Sequence, residues 1–342
     1  MIFRFLIPLV FICFASLKAA DIPIPKKGVL FGAYMDFGET EDAVTLEGIE
    51  KFETLVGKAP AIIASSSYWG EQTFPSKNLA LIDRHGAIPL VFWSPWDKPY
   101  EQNKGPDRFS LLEILNGKWD DYIDAWGDGA KAFGKPFLVS LCNEMNGSWF
   151  PWSGTFYGGA KGGNEVFKKA WRYIVDRVRA RGATNVRWVF HVNAYSAEND
   201  DWNLMGAYYP GNNYVDWLGM SLYGKQFREL GDWCFFPDLI SWPYREITAI
   251  AQKPVMLAEF GVGEFPKFGS KPQWFRDALK IIPEYPKIKA AVYWHERWQN
   301  EDGTFSNLRV NSSQASLAAF REGISAPLWI GAKKDKKKSE ER

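Results

Sequence analysis

Histidine, cysteine and methionine are scarce in this 342-residue sequence, with three, three and six copies. The histidines, His85, His191 and His295, are far apart and form no HExxH pattern, so no catalytic zinc or other metal is expected. Excess charge is lacking as well, the formal net being +1. Residues 333–342 contribute +3 and residues 1–20 contribute +2, which leaves −4 for the body. A mildly acidic body argues against a nucleic-acid partner, whose phosphates need a basic face. Past residue 20 no apolar run is long enough to cross a bilayer, so the mature chain is expected to have no membrane span. No GxGxxG or GxxxxGK[ST] loop follows the first apolar run, and no cofactor is expected. Pro/Ser linkers and internal repeats are also missing, which points to one domain over residues 25–330.

Aromatic side chains are what the sequence has in surplus: 16% of residues, including 17 Trp. Such a surplus serves either as core filler or as a surface that grips flat, weakly polar ligands such as sugar rings. The first 20 residues have an early Arg4, an apolar stretch from Phe5 to Phe14 and small residues at the end. That is the layout of a secretory signal peptide, so a secreted or periplasmic location is expected. Residues 331–342, rich in Lys and Glu, read as a charged, solvated tail. With the leader removed, Cys142 and Cys234 remain; a disulfide between them is one reading, two buried free thiols the preferred one.

Short apolar runs alternate with longer amphipathic segments throughout. The runs are 28–35, 61–69, 87–93, 135–142, 185–192, 215–223, 253–260 and 288–294. Between them the helical period is clearest over 165–179, and helices are also expected over 43–56, 78–84, 111–133, 239–251, 274–281 and 316–324. Continuous apolar strands alternating with helices indicate parallel strands covered on both faces, and eight such units predict an α/β fold of the (β/α)8 TIM-barrel type. An open doubly wound sheet is the alternative.

In such barrels chemistry gathers at the C-terminal ends of the strands. The fourth run ends in SLCNEMNGSWFPWSG, where Glu144 is followed within eight residues by Trp149, Phe150 and Trp152. The seventh ends at Glu259, the sixth at Tyr223 and the eighth at Trp294-His295-Glu296. Two carboxylates facing one pocket are what glycoside hydrolysis requires: one protonated to release the leaving group, one ionised to attack or to activate water. His191 and His295, at strand ends, suit either substrate contact or a structural use. Trp93 and Trp96 suit either a subsite or the core, His85 suits a helix end, and Glu296 suits an ion pair with Arg297 or a rim contact. Asp36, after the first run, is a candidate for a sugar hydroxyl.

The stretch CNEMNGSWFPWSG resembles the acid/base motif of glycoside hydrolase family 26, and three further stretches resemble that family in order: 207–224, KPVMLAEFG at 253–261 and YWHERW at 293–298. The resemblance spans about 30–325. It implies a retaining endo-acting β-glycanase with Glu144 as acid/base and Glu259 as nucleophile. It also implies that Tyr223 hydrogen-bonds the nucleophile, that Trp294 floors the subsite of the attacked sugar, and that Trp149 and Trp152 line neighbouring subsites. Asn143 stands where the family usually has His, and fits a contact to the sugar 2-hydroxyl. Pro151 departs from the form common in mannanases. The expected substrate is a β-1,4-linked polysaccharide, β-mannan first, with mixed-linkage β-glucan or β-xylan as alternatives and a non-catalytic carbohydrate binder as the contrasting class. The chain is expected to act as a monomer.

Glu144 is expected to hold its proton through desolvation by Trp149 and the charge of Glu259, with Glu259 ionised. Retention requires carboxyl groups roughly 5–5.5 Å apart.

Overall fold

The computed structural model describes residues 21–99, 105–229, 231–300 and 302–332. The proposed leader, residues 1–20, and the tail from residue 333 onward lie outside the described residues.

The eight apolar runs form eight strands: β1 (Val29–Tyr34), β2 (Ile62–Tyr68), β3 (Ile88–Ser94), β4 (Phe137–Leu141), β5 (Val186–Asn193), β6 (Trp217–Tyr223), β7 (Val255–Gly261) and β8 (Ile288–Trp294). They are buried along almost their whole lengths, as runs without polar alternation must be when both faces of a sheet are covered. Neighbours pair in parallel in chain order, and β8 returns to pair with β1, Tyr34 opposite Trp294. The sheet therefore closes into a (β/α)8 TIM barrel.

Among the described residues eight α-helices wrap the outside: α1 (Leu46–Val56), α2 (Ser76–His85), α3 (Leu111–Leu115), α4 (Asp120–Phe133), α5 (Gly163–Ala180), α6 (Phe236–Ile250), α7 (Lys271–Ile281) and α8 (Gln314–Ser325). Helix α5 shows how the pattern becomes packing. Phe167, Ala170, Trp171, Ile174, Val175 and Val178 are buried on one stripe, while Arg177 on the outer side pairs with Asp120 and Asp124 of α4. Hydroxyl caps start several helices: Thr45, Ser110, Ser270 and Ser313 each accept from a backbone N–H of the first turn.

The structure corrects the sequence reading at three places. The helix expected over 111–133 is two, because the chain turns at Gly117 with φ +81°, a conformation outside the helical region. A hairpin of β9 (Arg297–Gln299) and β10 (Phe305–Asn307) follows β8, and a two-residue strand β11 (Trp329–Ile330) pairs with the start of β1. Cys142 is buried but Cys234 is exposed, in the loop that leads into α6, and both are free thiols.

Candidate active site

Strand β4 stops at Leu141 because the backbone then turns sharply: Cys142 and Glu144 both adopt left-handed conformations, φ +49° and +55°. For residues with a Cβ this costs on the order of 1–2 kcal/mol each, the kind of strain that persists where the surroundings fix it. The Glu144 N–H donates to the His191 carbonyl on the neighbouring β5 (2.8 Å), which pins the bend to the barrel rim. The bend carries the Glu144 side chain over the barrel mouth. Glu259, near the end of β7, meets it there: an oxygen of each carboxyl group lies within 4.8 Å of the other.

Each carboxyl has its own donors. Tyr223, the last residue of β6, donates its hydroxyl to Glu259 Oε2 (2.6 Å). Trp149 donates its indole N–H to Glu144 Oε2 (2.8 Å). It can do so because Gly147 has no side chain: a Cβ there would sit 2.6 Å from the Trp149 ring. Ser221 also hydrogen-bonds Glu144. Burial raises both carboxyls, Glu144 above the usual range and Glu259 well above it, since Glu259 also faces the charges of Glu144, Glu41 and Glu296. Like charges this close cannot both ionise readily, so the pair shares one proton; the larger rise falls on Glu259, the reverse of the expectation that Glu144 holds the proton and Glu259 is ionised.

The floor beside the pair is aromatic. Trp294, ending β8, stacks on Tyr34 of β1 with ring centroids 4.1 Å apart and planes 21° from parallel. Its indole N–H donates to Glu296 Oε2 (2.7 Å). Asn143 is buried beside Glu144, and its carbonyl accepts from the Trp152 indole (2.6 Å).

The sequence profile of glycosyl hydrolase family 26 matches residues 112–280, which run from α3 into α7 and include both carboxylates. Endoglucanase H of Acetivibrio thermocellus is 33% identical over 305 residues, 88% of this chain. The chain belongs to glycosyl hydrolase family 26. It spans only 31% of the length of the Acetivibrio protein. A mannan endo-1,4-beta-mannosidase of Bacillus subtilis is 28% identical, with 79% of this chain and 75% of that protein aligned. Among solved structures, the modular endo-beta-1,4-mannanase of Cellulomonas fimi superposes with a TM-score of 0.64 at 22% identity, covering 89% of this chain and 72% of that one. A likeness at that identity carries the fold.

Within this family member, the structure gathers Glu144, Glu259, Asn143, Trp149, Tyr223 and Trp294 at the barrel mouth, and it displaces three residues expected to line it. His191 is wholly buried: its Nδ1 lies 2.8 Å from the Ser140 hydroxyl and its Nε2 2.8 Å from Ser221 Oγ. Burial lowers its pKa to about 3, so it is neutral. For Ser221 to donate to Glu144, His191 must donate from Nε2 and accept at Nδ1, which makes Ser140, His191 and Ser221 a relay of hydrogen bonds beneath the acid. Trp93 belongs to the core, stacked on Trp126 at 4.0 Å with its N–H bound to the Tyr122 hydroxyl. Trp152 is buried under Phe150, which stacks on it at 4.7 Å, so Phe150 is the half-exposed ring of that pair.

The remaining candidates also find specific places. Glu296 does not pair with Arg297, whose guanidinium lies over the Phe305 ring at 3.6 Å; it holds Trp294 instead. Burial and the nearby Glu41 push Glu296 up to about 8. Asp36 pairs with Arg309, His295 accepts from the Val310 N–H (3.0 Å), and His85 ends α2 with Nε2 3.2 Å from Glu53. Glu41 is a site residue the sequence reading missed. It sits in the β1–α1 loop at φ +55°, accepts from the Ser66 hydroxyl (2.6 Å), and raises the pKa of Glu259. No strand end announces it. Ser221 was missed too, although its place two residues before Tyr223 on β6 puts both on the same face of the strand.

Glu144, His191 and Glu259 form the one group of three metal-ligand types close enough to hold a cation among the described residues. Both ring nitrogens of His191 are engaged with hydroxyls, which leaves that group committed to the relay.

Proposed function

We propose that this chain is a retaining endo-β-glycanase, exported from the cytoplasm, that cleaves a β-linked plant-type polysaccharide. The observation that carries this reading is the pair of carboxyl groups at the ends of β4 and β7, with oxygens within 4.8 Å of one another. That spacing suits direct attack on the sugar and is too short for the intervening water of an inverting mechanism, where the groups stand roughly 6.5–9.5 Å apart.

Glu259 attacks the anomeric carbon with the oxygen not held by Tyr223. Glu144 gives the shared proton to the glycosidic oxygen, and the leaving sugar departs. A glycosyl ester on Glu259 results. Glu144, now ionised, takes a proton from water, the water oxygen attacks the anomeric carbon, and the ester bond breaks to regenerate Glu259. Trp294 supplies a flat face beneath the attacked ring, and Asn143 stands beside the acid where a 2-hydroxyl is reached.

β-Glucan is the preferred substrate class, ahead of the β-mannan suggested by the family resemblance. Support comes from Asn143 in place of the usual His and from a 33% identical relative named as an endoglucanase that aligns with 88% of the chain. Mannan is the second reading, favoured by the relatives named as mannosidases. A polysaccharide panel tests both: reducing-sugar release is expected on mixed-linkage β-glucan first. A faster rate on mannan reverses the order, and no release on any β-glycan overturns the enzyme reading. Proton NMR of the first product is expected to show the β-anomer; the α-anomer first would overturn retention.

A further inference from the structure

Beyond the catalytic pair, the loop past β5 and helix α6 carry two exposed aromatic rings. Tyr195 and Trp242 face solvent with 45% and 40% of their surfaces exposed, yet they are ordered against one another, ring centroids 5.9 Å apart and planes 16° from parallel. Adjoining exposed rings make a contiguous apolar patch, and such patches mark interaction surfaces where singly exposed side chains do not.

The arrangement is built into the backbone. Helix α6 contains Pro243, which has no N–H, so the Leu239 carbonyl four residues earlier loses its helical donor. The Tyr195 hydroxyl supplies the missing bond, donating to Leu239 O at 2.8 Å. Trp242 is the residue before that proline. One proline thus both creates the acceptor that orients Tyr195 and sits beside the ring that Tyr195 stacks on.

The platform is continuous with the catalytic loop. Asn146, two residues after Glu144, accepts from the Asn193 N–H and donates to the Asn193 carbonyl, both at 2.8 Å, and its Nδ2 lies 3.1 Å from Ser196 Oγ. Asn193 in turn donates to the Tyr195 carbonyl (3.0 Å). Tyr195 therefore hangs from the loop that positions the acid. In a closed eight-stranded barrel, strands four apart are opposite. Trp294 on β8 and Tyr34 on β1 floor one side of the mouth, and Glu144 after β4 and Tyr195 after β5 occupy the other. The leaving group departs over the acid, so the platform lies on its side.

We propose that Tyr195 and Trp242 form a distal subsite for the leaving-group side of the glycan, stacking against the C–H faces of sugar units toward its reducing end. The inference rests on the glycanase reading above. The occupant is a β-linked chain because flat rings hung by hydrogen bonds from the loop that positions the acid match its alternating apolar faces, and neither ring carries a charge.

The test is steady-state kinetics on the polysaccharide that the wild-type enzyme cleaves best, together with the cleavage pattern of an end-labelled hexasaccharide. Trp242→Ala and Tyr195→Ala are expected to raise KM on the polymer roughly 3–10-fold with little change in kcat, which corresponds to one aromatic stacking contact. They are also expected to move the preferred cut toward the reducing end. Pro243→Ala, which restores a helical donor to Leu239 and removes no ring, is expected to raise KM in the same direction. Leu328→Ala, an exposed apolar side chain beside the start of β1 at the opposite end of the barrel, is the control and is expected to leave both readouts unchanged. An active wild type whose KM and cleavage pattern survive Trp242→Ala and Tyr195→Ala overturns the subsite alone. A wild type inactive on every β-glycan overturns the functional reading and the subsite with it. A change in solution mass on Trp242→Ala would assign the face to self-association and overturn the subsite.

Discussion

Glu259 has three carboxyl neighbours, Glu144, Glu41 and Glu296, and one hydroxyl donor, Tyr223. Burial first and this like charge second hold a proton on the catalytic pair, and substitution separates the two roles in a measurable way. Glu144→Ala and Glu259→Ala are each expected to lower kcat on polysaccharide by at least roughly 10²–10⁴-fold. Azide distinguishes them on an aryl glycoside with a good leaving group. With Glu144→Ala it should restore turnover and give the β-glycosyl azide, because the ester still forms and azide then replaces water. With Glu259→Ala it should give the α-glycosyl azide by direct displacement. The same azide anomer from both variants, or near-normal rates for either, would sink the assignment.

At the scale of elements, the loop after β4 shows why the site was partly readable. Glu144, Glu259, Tyr223 and Trp294 end strands, and strand ends are visible as the points where apolar runs stop. Trp93 ends an apolar run and Trp152 follows one, but whether a ring points into the mouth or back into the core depends on neighbours such as Trp126 and Trp96 that come from other segments. His191 was misplaced for the same reason: its position near the end of β5 is legible, its two serine partners from β4 and β6 are not. Glu41 lies in a loop whose course no periodicity encodes. The barrel itself was legible nearly everywhere, because long apolar strands admit few arrangements. Gly147 ties this loop to catalysis. In Gly147→Ala the new Cβ meets the Trp149 ring, pushes it off Glu144 and is expected to lower kcat roughly tenfold, the loss of one hydrogen bond to a charged or protonated carboxyl. Trp149→Phe, which keeps the ring but lacks the N–H, should do the same; unchanged kcat in both would mean that the bond does not bear on the acid.

At the scale of the whole molecule, raised carboxyl pKa values make folding stability depend on pH. Glu296 titrates near 8 in the folded protein and in the ordinary carboxyl range when unfolded. The folded value is the higher one, so the native state holds the proton more tightly. The stability it contributes is full below the unfolded pKa, falls as pH rises, and is gone once pH passes the folded value. Glu296→Gln removes this loss. The variant is expected to melt at the same temperature as wild type at pH 5 and a few degrees higher at pH 9. Equal melting temperatures at pH 9 would show that the Glu296 carboxyl ionises in the fold without penalty.

Strand β11 pairs Trp329 and Ile330 with Val29 and Leu30, at the end of the barrel opposite the cleft, and Asp21 pairs with Arg187 near the start of β5. Both ends of the described chain are thereby moored to the same underside. A tether, a fused module or a surface attached at either end would hang below the molecule and leave the mouth facing outward. A polymer held in a cell wall or fibre could then be threaded across the open face without the enzyme's own attachment standing in its path.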